Sequence, residues 1–348
     1  MAATRQRRRV YSDKEAADLL RIHFTGDDLA RTRMVADPDP LWETVLSLHQ
    51  MQDRDPPPVF RRWRHDLLTM ARECGIGRDL HLLAAVDPVA AYFPDFLTPA
   101  ASRSGLDTGL DALLSTPKSR LAVEFARLAG GRPLPSWMRP FADGEPAMLR
   151  RLGGALRSYH RIAVAPHHER IRRDLDTHRQ ATARALLDSG HDGLLAALGP
   201  DIRWRPPVLE AAFPQERTIR LDGRGITLVP SYFCWRTVTT LADPELPPVL
   251  VYPVERSLPW LGPVTEVSDA LATLLGPTRA AVLSVLAVPH TTMSLADRVG
   301  IAPGTVSHHT AVLRDAGLIS TERRGRTARH TLTALGGALV ARAGESGH

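Results

Sequence analysis

The sequence predicts a mainly α protein with a small antiparallel β layer, an α-rich N-terminal domain being followed by a shorter C-terminal domain. Three observations carry this. Apolar residues recur at helical spacing through most of the stretch from Asp39 to Ser189, and short β-branched segments replace them between Val208 and Val251. All six Trp, five Tyr and eight Phe lie at or before Trp260, which marks a change of domain. A chain of 348 residues is too long for one ordinary domain, and its 43% hydrophobic content is enough to give each part a core.

Taken in order, residues 1–10 hold Arg5, Arg7, Arg8 and Arg9 and read as a disordered basic tail. Leu20, Ile22 and Phe24 alternate as a strand, and Thr25 is placed to cap a helical turn. Asp39 and Pro40 open a stronger helix that buries Leu41, Val45 and Leu48. Val59, Trp63, Leu67 and Met70 form a further apolar stripe, and the proline-broken run after Leu80 brings Tyr92, Phe93 and Phe96, which suit packing better than a pocket. Leu106–Leu114 and Pro117–Ala129, the latter behind a Ser115-Thr116 cap, read as a helix pair. Two long helical patterns follow, 145–164 and 166–189. Val208–Phe213, Thr218–Leu221, Ile226–Val229 and Val249–Val251 are expected to form the small antiparallel sheet, at about 205–255, with Asp222-Gly223-Arg224-Gly225 as a turn between two of its strands. Prolines crowd 244–263, so a hinge is expected near 255–267. The expected division is 11–260 and 261–348.

The C-terminal part has the sharpest signal. Thr292–Gly300 reads as a helix with Thr292 as cap and Leu295, Ala296 and Val299 inward. Gly300–Ala302 is a tight connection. Pro303 then opens a second helix, about 303–316, with Val306, Thr310 and Leu313 on its buried side and Gly317 as its stop. Two helices joined by a three-residue turn containing Gly are the helix-turn-helix pattern. Leu318–Arg323 and Ala328–Leu332 read as two strands around a Gly325-Arg326-Thr327 turn, a basic wing at about 318–332.

Residues from about Asp269 to Val340 resemble the winged helix-turn-helix of ArsR-type bacterial repressors. LATLLGPTRAAVLSVLA, LADRVGIAPGTVSHHTAVLRDAGLI and RRGRTARHTLT carry the likeness in order. Three positions depart from it: Ala302 where a capping Ser is usual, worth about 1 kcal/mol of helix stability, Thr310 where Leu is usual, and His330 where an aromatic is usual. The resemblance implies a homodimer paired through the first and last helices, here Ser268–Leu275 and Ala334–Arg342. Many such proteins sense metals through a Cys pair in the helix before the recognition helix, or His and carboxylate sets in the last helix. Met293–Val299 has no Cys or His and Ala334–Arg342 no His or acid, so no metal and no cofactor is expected there. LLRIHFTGDDLARTR, DPLWETVLSLH and GRGITLVPSYF are further similar to the long N-terminal region of a group of ArsR-type regulators, which implies a sensing or association domain and brings no ligand with it; an unknown small-molecule effector is a partner such a domain could take.

Charge and missing motifs narrow the function. The net charge of +6 favours an anionic partner, but all but two of the 44 basic residues are arginine, a skew that GC-rich coding also produces. Location decides more than the total. No apolar run reaches the ~18 residues of a membrane span, and Cys74 and Cys234 stand alone as inert small hydrophobes, so a cytoplasmic protein is expected. GxSxG, Walker and GxGxxG patterns are absent, and His168-Glu169 fails as HExxH because Arg172 stands where the second His belongs. His160, His167, His168 and Glu169 are the one cluster offering metal-ligand types.

The expected function is a transcriptional regulator reading double-stranded DNA. A major groove about 12 Å wide admits one helix, so Thr305, Ser307 and His308 are expected at base edges. Arg314 with Arg323, Arg324, Arg326 and Arg329 is expected at phosphates, and His309 divides between DNA contact and a structural hydrogen bond. No catalytic residue is assigned. The competing readings are an enzyme or ligand-binding protein in 11–260, and a winged helix that binds protein rather than DNA.

Overall fold

A computed structural model describes residues 18–53, 56–89, 92–235, 237–254, 269–299, 301, 303–324 and 327–345; the chain divides into two units, residues 1–55 with 64–256, and 56–63 with 257–348. The basic tail at 1–10, the hinge near 255–267, Gly300, Ala302 and the Gly325-Arg326 turn lie outside the described residues.

The first unit opens with β1 (Leu19–His23), α1 (Gly26–Arg31) and β2 (Arg33–Met34). Thr25 caps α1 through a reciprocal capping box with Asp28. Then come α2 (Pro40–Gln52), α3 (Pro58–Glu73), whose first turns fall in the second unit, and α4 (Gly77–Val86). Asp39 caps α2 as its sequence position implies, its Oδ1 accepting from the Leu41 and Trp42 amides at 3.1 and 3.2 Å. Short 3-10 turns at Asp95–Leu97 and Ala100–Ser104 fill the proline-broken region, followed by α5 (Leu106–Leu114), α6 (Lys118–Ala129), α7 (Arg139–Ala142), α8 (Pro146–Ala163) and α9 (His168–Ala196). Backbone breaks at Ser189 and Gly190 interrupt α9 where the sequence pattern also changes.

Three details differ from the sequence reading. Pro117, without a side-chain cap, precedes α6, so Ser115 and Thr116 do not cap it. Met70 is 40% exposed because the buried stripe of α3 continues from Leu67 to Ala71, the next position at i+4. Cys74 is exposed while Cys234 is buried. Phe93 packs edge-on against Trp42, and Phe96 lies tilted against Phe125, as ordinary core contacts.

The mainly α class holds, and the β layer is small, but its pairing is not purely antiparallel. β3 (Ile202–Arg205), β4 (Val208–Ala212) and β5 (Arg217–Arg220) join β1 in the order β3-β4-β1-β5, with β1 antiparallel to β4 and parallel to β5. β6 (Thr227–Ser231) and β7 (Val249–Pro253) form a second, all-parallel sheet with β2. The Asp222–Gly225 turn therefore leads from one sheet to the other. A period of two identifies a strand and its inward face, but not its partner. Both sheets share one core, in which Leu20, Ile22, Leu209, Leu228 and Leu250 meet Leu195 of α9.

Two buried carboxylates tie helices to this β layer. Asp28, fully buried, accepts from Thr25 N and Oγ1 through Oδ2 and from Gly225 N through Oδ1 at 2.9 Å. Burial opposes its charge, but the Thr25 hydroxyl and the Gly225 and Thr25 amides hold its pKa below the ordinary aspartate value. Gly225 has φ +69°, and a Cβ there would lie 2.7 Å from the Arg31 carbonyl oxygen, so only glycine allows this approach. Glu43, at the heart of α2 and 1% exposed, accepts from Tyr232 N at 2.8 Å, Phe233 N at 3.0 Å and Ser231 Oγ at 3.1 Å.

His160 points at Thr44, with Nδ1 2.9 Å from the hydroxyl, and burial pushes its pKa down to about 4. Among the described residues no group of three His, Cys, Asp or Glu is gathered to hold a metal ion, and no helix is long and apolar enough to cross a membrane.

Glu43→Ala leaves the Tyr232 and Phe233 amides buried without their acceptor. It is expected to cost the first unit about 3 kcal/mol or more. A denaturant midpoint equal to that of the unsubstituted chain would show that other groups take over these amides.

Candidate nucleic-acid interface

The second unit contains α10 (Asp269–Leu275), α11 (Pro277–Val285), β8 (His290–Thr291), α12 (Thr292–Val299), α13 (Pro303–Asp315), β9 (Ile319–Arg324), β10 (Thr327–Leu332) and α14 (Ala334–Glu345). Its antiparallel sheet has the order β8-β10-β9. Leu283, Leu295, Val306, Leu313, Ile319 and Val340 bring every layer into one core. The start of α12 is held one residue earlier than its sequence suggests: Thr291 Oγ1, rather than Thr292, accepts from the Ser294 amide at 3.2 Å.

α13 is anchored by its C-terminal end. Leu318 N donates to Leu313 O at 2.9 Å and Gly317 N to Arg314 O at 2.8 Å, with Gly317 at φ +71°, which is a Schellman cap. Leu318 and Leu313 are both core residues, so the cap also turns the chain into β9. Val306, Thr310 and Leu313 are buried, as their spacing predicts. Thr310 stays polar there at no loss, because its hydroxyl donates back to Val306 O at 2.9 Å.

The opposite side of α13 is open. Thr305, Ser307, His308 and Arg314 are exposed, and Ser307 Oγ donates to Pro303 O at 3.0 Å while its lone pairs face outward. His309 is half-buried, and its Nδ1 has no hydrogen-bond partner among the described residues. Burial, then His308 and Arg279, push its pKa below the ordinary histidine value, so it faces the fold more than Ser307 or His308 does. Arg314 is 3.6 Å from Asp315 and keeps an exposed guanidinium.

The hairpin arginines divide between faces. Arg323 stands opposite Ala328, and Arg329 stands opposite Glu322, in adjacent register pairs. Neighbouring pairs project to opposite faces of a sheet, so Arg323 and Arg329 do not share a surface. Arg324 belongs to β9, the placement of its side chain is not described, and Arg326 lies outside the described residues.

His330 holds the hairpin to the helices. It is buried, with Nε2 3.0 Å from Thr292 Oγ1 and Nδ1 2.9 Å from Thr321 Oγ1, so one imidazole joins β10 to β9 and to the start of α12. An aromatic ring would fill this volume without making either bond. Burial, followed by the Arg314 charge, pushes the His330 pKa below 6.5. At the other end, Thr333 Oγ1 accepts from Gly336 N at 3.1 Å and donates to Gly317 O at 2.7 Å. A Cβ at Gly336 would collide with the Leu318 carbonyl, so α14 can cross the end of α13 only through glycine.

Gly336→Ala is expected to destabilise the second unit by more than the ~1 kcal/mol of helix propensity that alanine returns, read as a lowered melting temperature. Because the His330 pKa is lower in the fold than in the unfolded chain, the unfolded state binds more protons as pH falls below about 6.5, and stability falls with it. Thermal melts between about pH 7 and pH 5 should therefore show a shallower acid loss for His330→Phe than for the unsubstituted chain. Parallel curves would exclude His330 as a contributor.

The family model described as a helix-turn-helix domain, HTH_20, matches residues 274–322, which run from the end of α10 into β9. No curated protein and no solved structure matches the chain. The C-terminal unit thus carries a helix-turn-helix domain, a DNA-binding module of the kind used in transcription regulation.

Proposed function

We propose that the chain is a homodimeric transcriptional regulator of the ArsR type that reads duplex DNA with α13 in the major groove and the β9-β10 hairpin as a wing against the backbone. The observation that carries this reading is the open N-terminal turn of α13, small and polar at Thr305 and Ser307, on a helix whose far end is locked by the Gly317 cap. In this reading Thr305, Ser307 and His308 meet base edges, and Arg314 meets phosphates together with the wing arginines of one hairpin face, Arg323 or Arg329 but not both. His309 positions α13 more than it contacts DNA.

Duplex DNA is favoured over single strands because the residues after Trp260 contain no aromatic side chain on which an unpaired base could stack. Support for a dimer comes from the first and last helices of the second unit, where Leu274 and Leu335 are 66% and 61% exposed. Apolar residues left open on two adjacent helices suit a two-fold interface, and a two-fold protein reads half-sites one helical turn apart. The chain acts in this reading as a cytoplasmic binder without a catalytic step, and the first unit senses a small molecule.

Fluorescence anisotropy with the DNA upstream of its own coding sequence, against excess unrelated duplex at two salt concentrations, tests the reading. Salt-dependent binding that survives the competitor is expected. Arg314→Ala should weaken binding to all sequences and lower the salt slope by about 1, whereas His308→Ala should relax preference at one base position by about 1–3 kcal/mol. Binding to neither duplex at low salt would overturn it, and a single symmetric monomer in sedimentation would remove the dimer.

A further inference from the structure

The first unit contains a cavity of about 210 Å³ between the start of α2, the 3-10 turns, α6 and the β6-β7 strands. Its walls are largely apolar: Trp42, Val229, Leu246, Pro247 and Val249 face it. Its charged groups are two arginines, Arg103 and Arg120, and two aspartates, Asp39 and Asp95, with Thr98 and Thr227 as further polar lining.

These four charges differ in what they still have to offer. Asp95 is spent, since its oxygens accept from the Ala242 and Asp243 amides at 2.8 to 3.0 Å. Asp39 is almost wholly buried, and its Oδ1 alone takes the Leu41 and Trp42 amides and the Ser102 hydroxyl at 2.6 Å. Among the described residues the hydrogen bonds of Asp39 all go to Oδ1, which leaves Oδ2 for a donor from a ligand. Each arginine is pinned through Nε only, Arg120 to Glu124 Oε1 at 2.7 Å and Arg103 to the Ala100 carbonyl at 3.1 Å. Their terminal amino groups keep a fork for an oxyanion, held in place before any ligand arrives. Burial pushes the Asp39 pKa up, and the Ser102 hydroxyl, the Trp42 and Leu41 amides and the Arg103 charge act against that rise.

We propose that this cavity binds a free α-amino acid with an apolar side chain, the carboxylate on the Arg103 and Arg120 forks, the ammonium on Asp39 Oδ2 and the side chain on Trp42, Val229 and Val249. A zwitterion meets both receptors at once, whereas a dianion would face Asp39 and Asp95. A cavity of about 210 Å³ lies below the usual range of drug-sized pockets and suits a small molecule such as leucine. Binding stands on these residues alone; the role of the amino acid as effector rests on the regulator reading above.

Isothermal titration of the full chain with valine, leucine, methionine and phenylalanine, without DNA, tests the site. At least one is expected to bind saturably below ~10 mM, with 4-methylpentanoate and isopentylamine, which lack the ammonium and the carboxylate of leucine, each at least about tenfold weaker than it. Arg103→Gln, at an exposed side chain away from the core, should weaken binding about tenfold with an unchanged melting temperature. Binding of none of the four amino acids, binding of 4-methylpentanoate as tight as leucine, or an unaffected Arg103→Gln chain would each overturn the proposal. Repeating the anisotropy titration with the bound amino acid reads the effector role separately, so failure of DNA binding leaves the calorimetric result standing.

Discussion

A carboxylate taken out of water must recover its lost hydration from fixed donors, and the first unit depends on this requirement being met at Glu43. That side chain projects from a helix buried on nearly every side, and it accepts from Ser231, Tyr232 and Phe233 at the end of β6. Neighbouring polar groups on the same helix follow the same rule: Asp39 closes on its own cap and on Ser102, Ser47 donates to Tyr159, and Gln50 donates to the Phe233 carbonyl at 3.1 Å. A hydrophobic core alone tolerates sliding, since burial has no direction. These bonds have direction, and they set where α2 lies against the strands.

The second unit solves a different constraint, that of close backbone approach. Gly317 ends α13 in a left-handed turn and Gly336 lets α14 cross over the Leu318 carbonyl, so the open helix is held from its far end. Its first turn is then left free of packing duties. Thr310 and His330, both unusual for the family this unit resembles, are absorbed by local hydrogen bonds rather than by loss of packing. The His330 bonds have a further effect, because they join the hairpin to the start of α12 through an imidazole whose pKa burial holds below the ordinary histidine value.

A regulator needs a site whose occupancy differs in free energy between two states of the DNA-binding part, with couplings typically of ~1–3 kcal/mol. The cavity beside α2 borders the capped end of the helix on which the first unit is organised. An ammonium on Asp39 would act on the group that caps that helix.

Local signals in the chain determined much of this protein. Helix periodicity, the Asp39-Pro40 and Thr25 starts, the Gly317 stop and the buried face of α13 follow from contacts within a few residues, where steric and hydrogen-bond rules act without knowledge of the rest of the fold. The candidate DNA-facing residues were legible for the same reason, being what remains of α13 once its inward positions are assigned. Only the tertiary structure decided that β1 lies between β4 and β5, that the second sheet is parallel, that Arg323 and Arg329 face apart, and that Arg103, Arg120 and Asp39 line one cavity. Strand partners, register and pocket walls are chosen by residues far apart in the chain, and a single sequence records which side chains want partners without recording which partners they find.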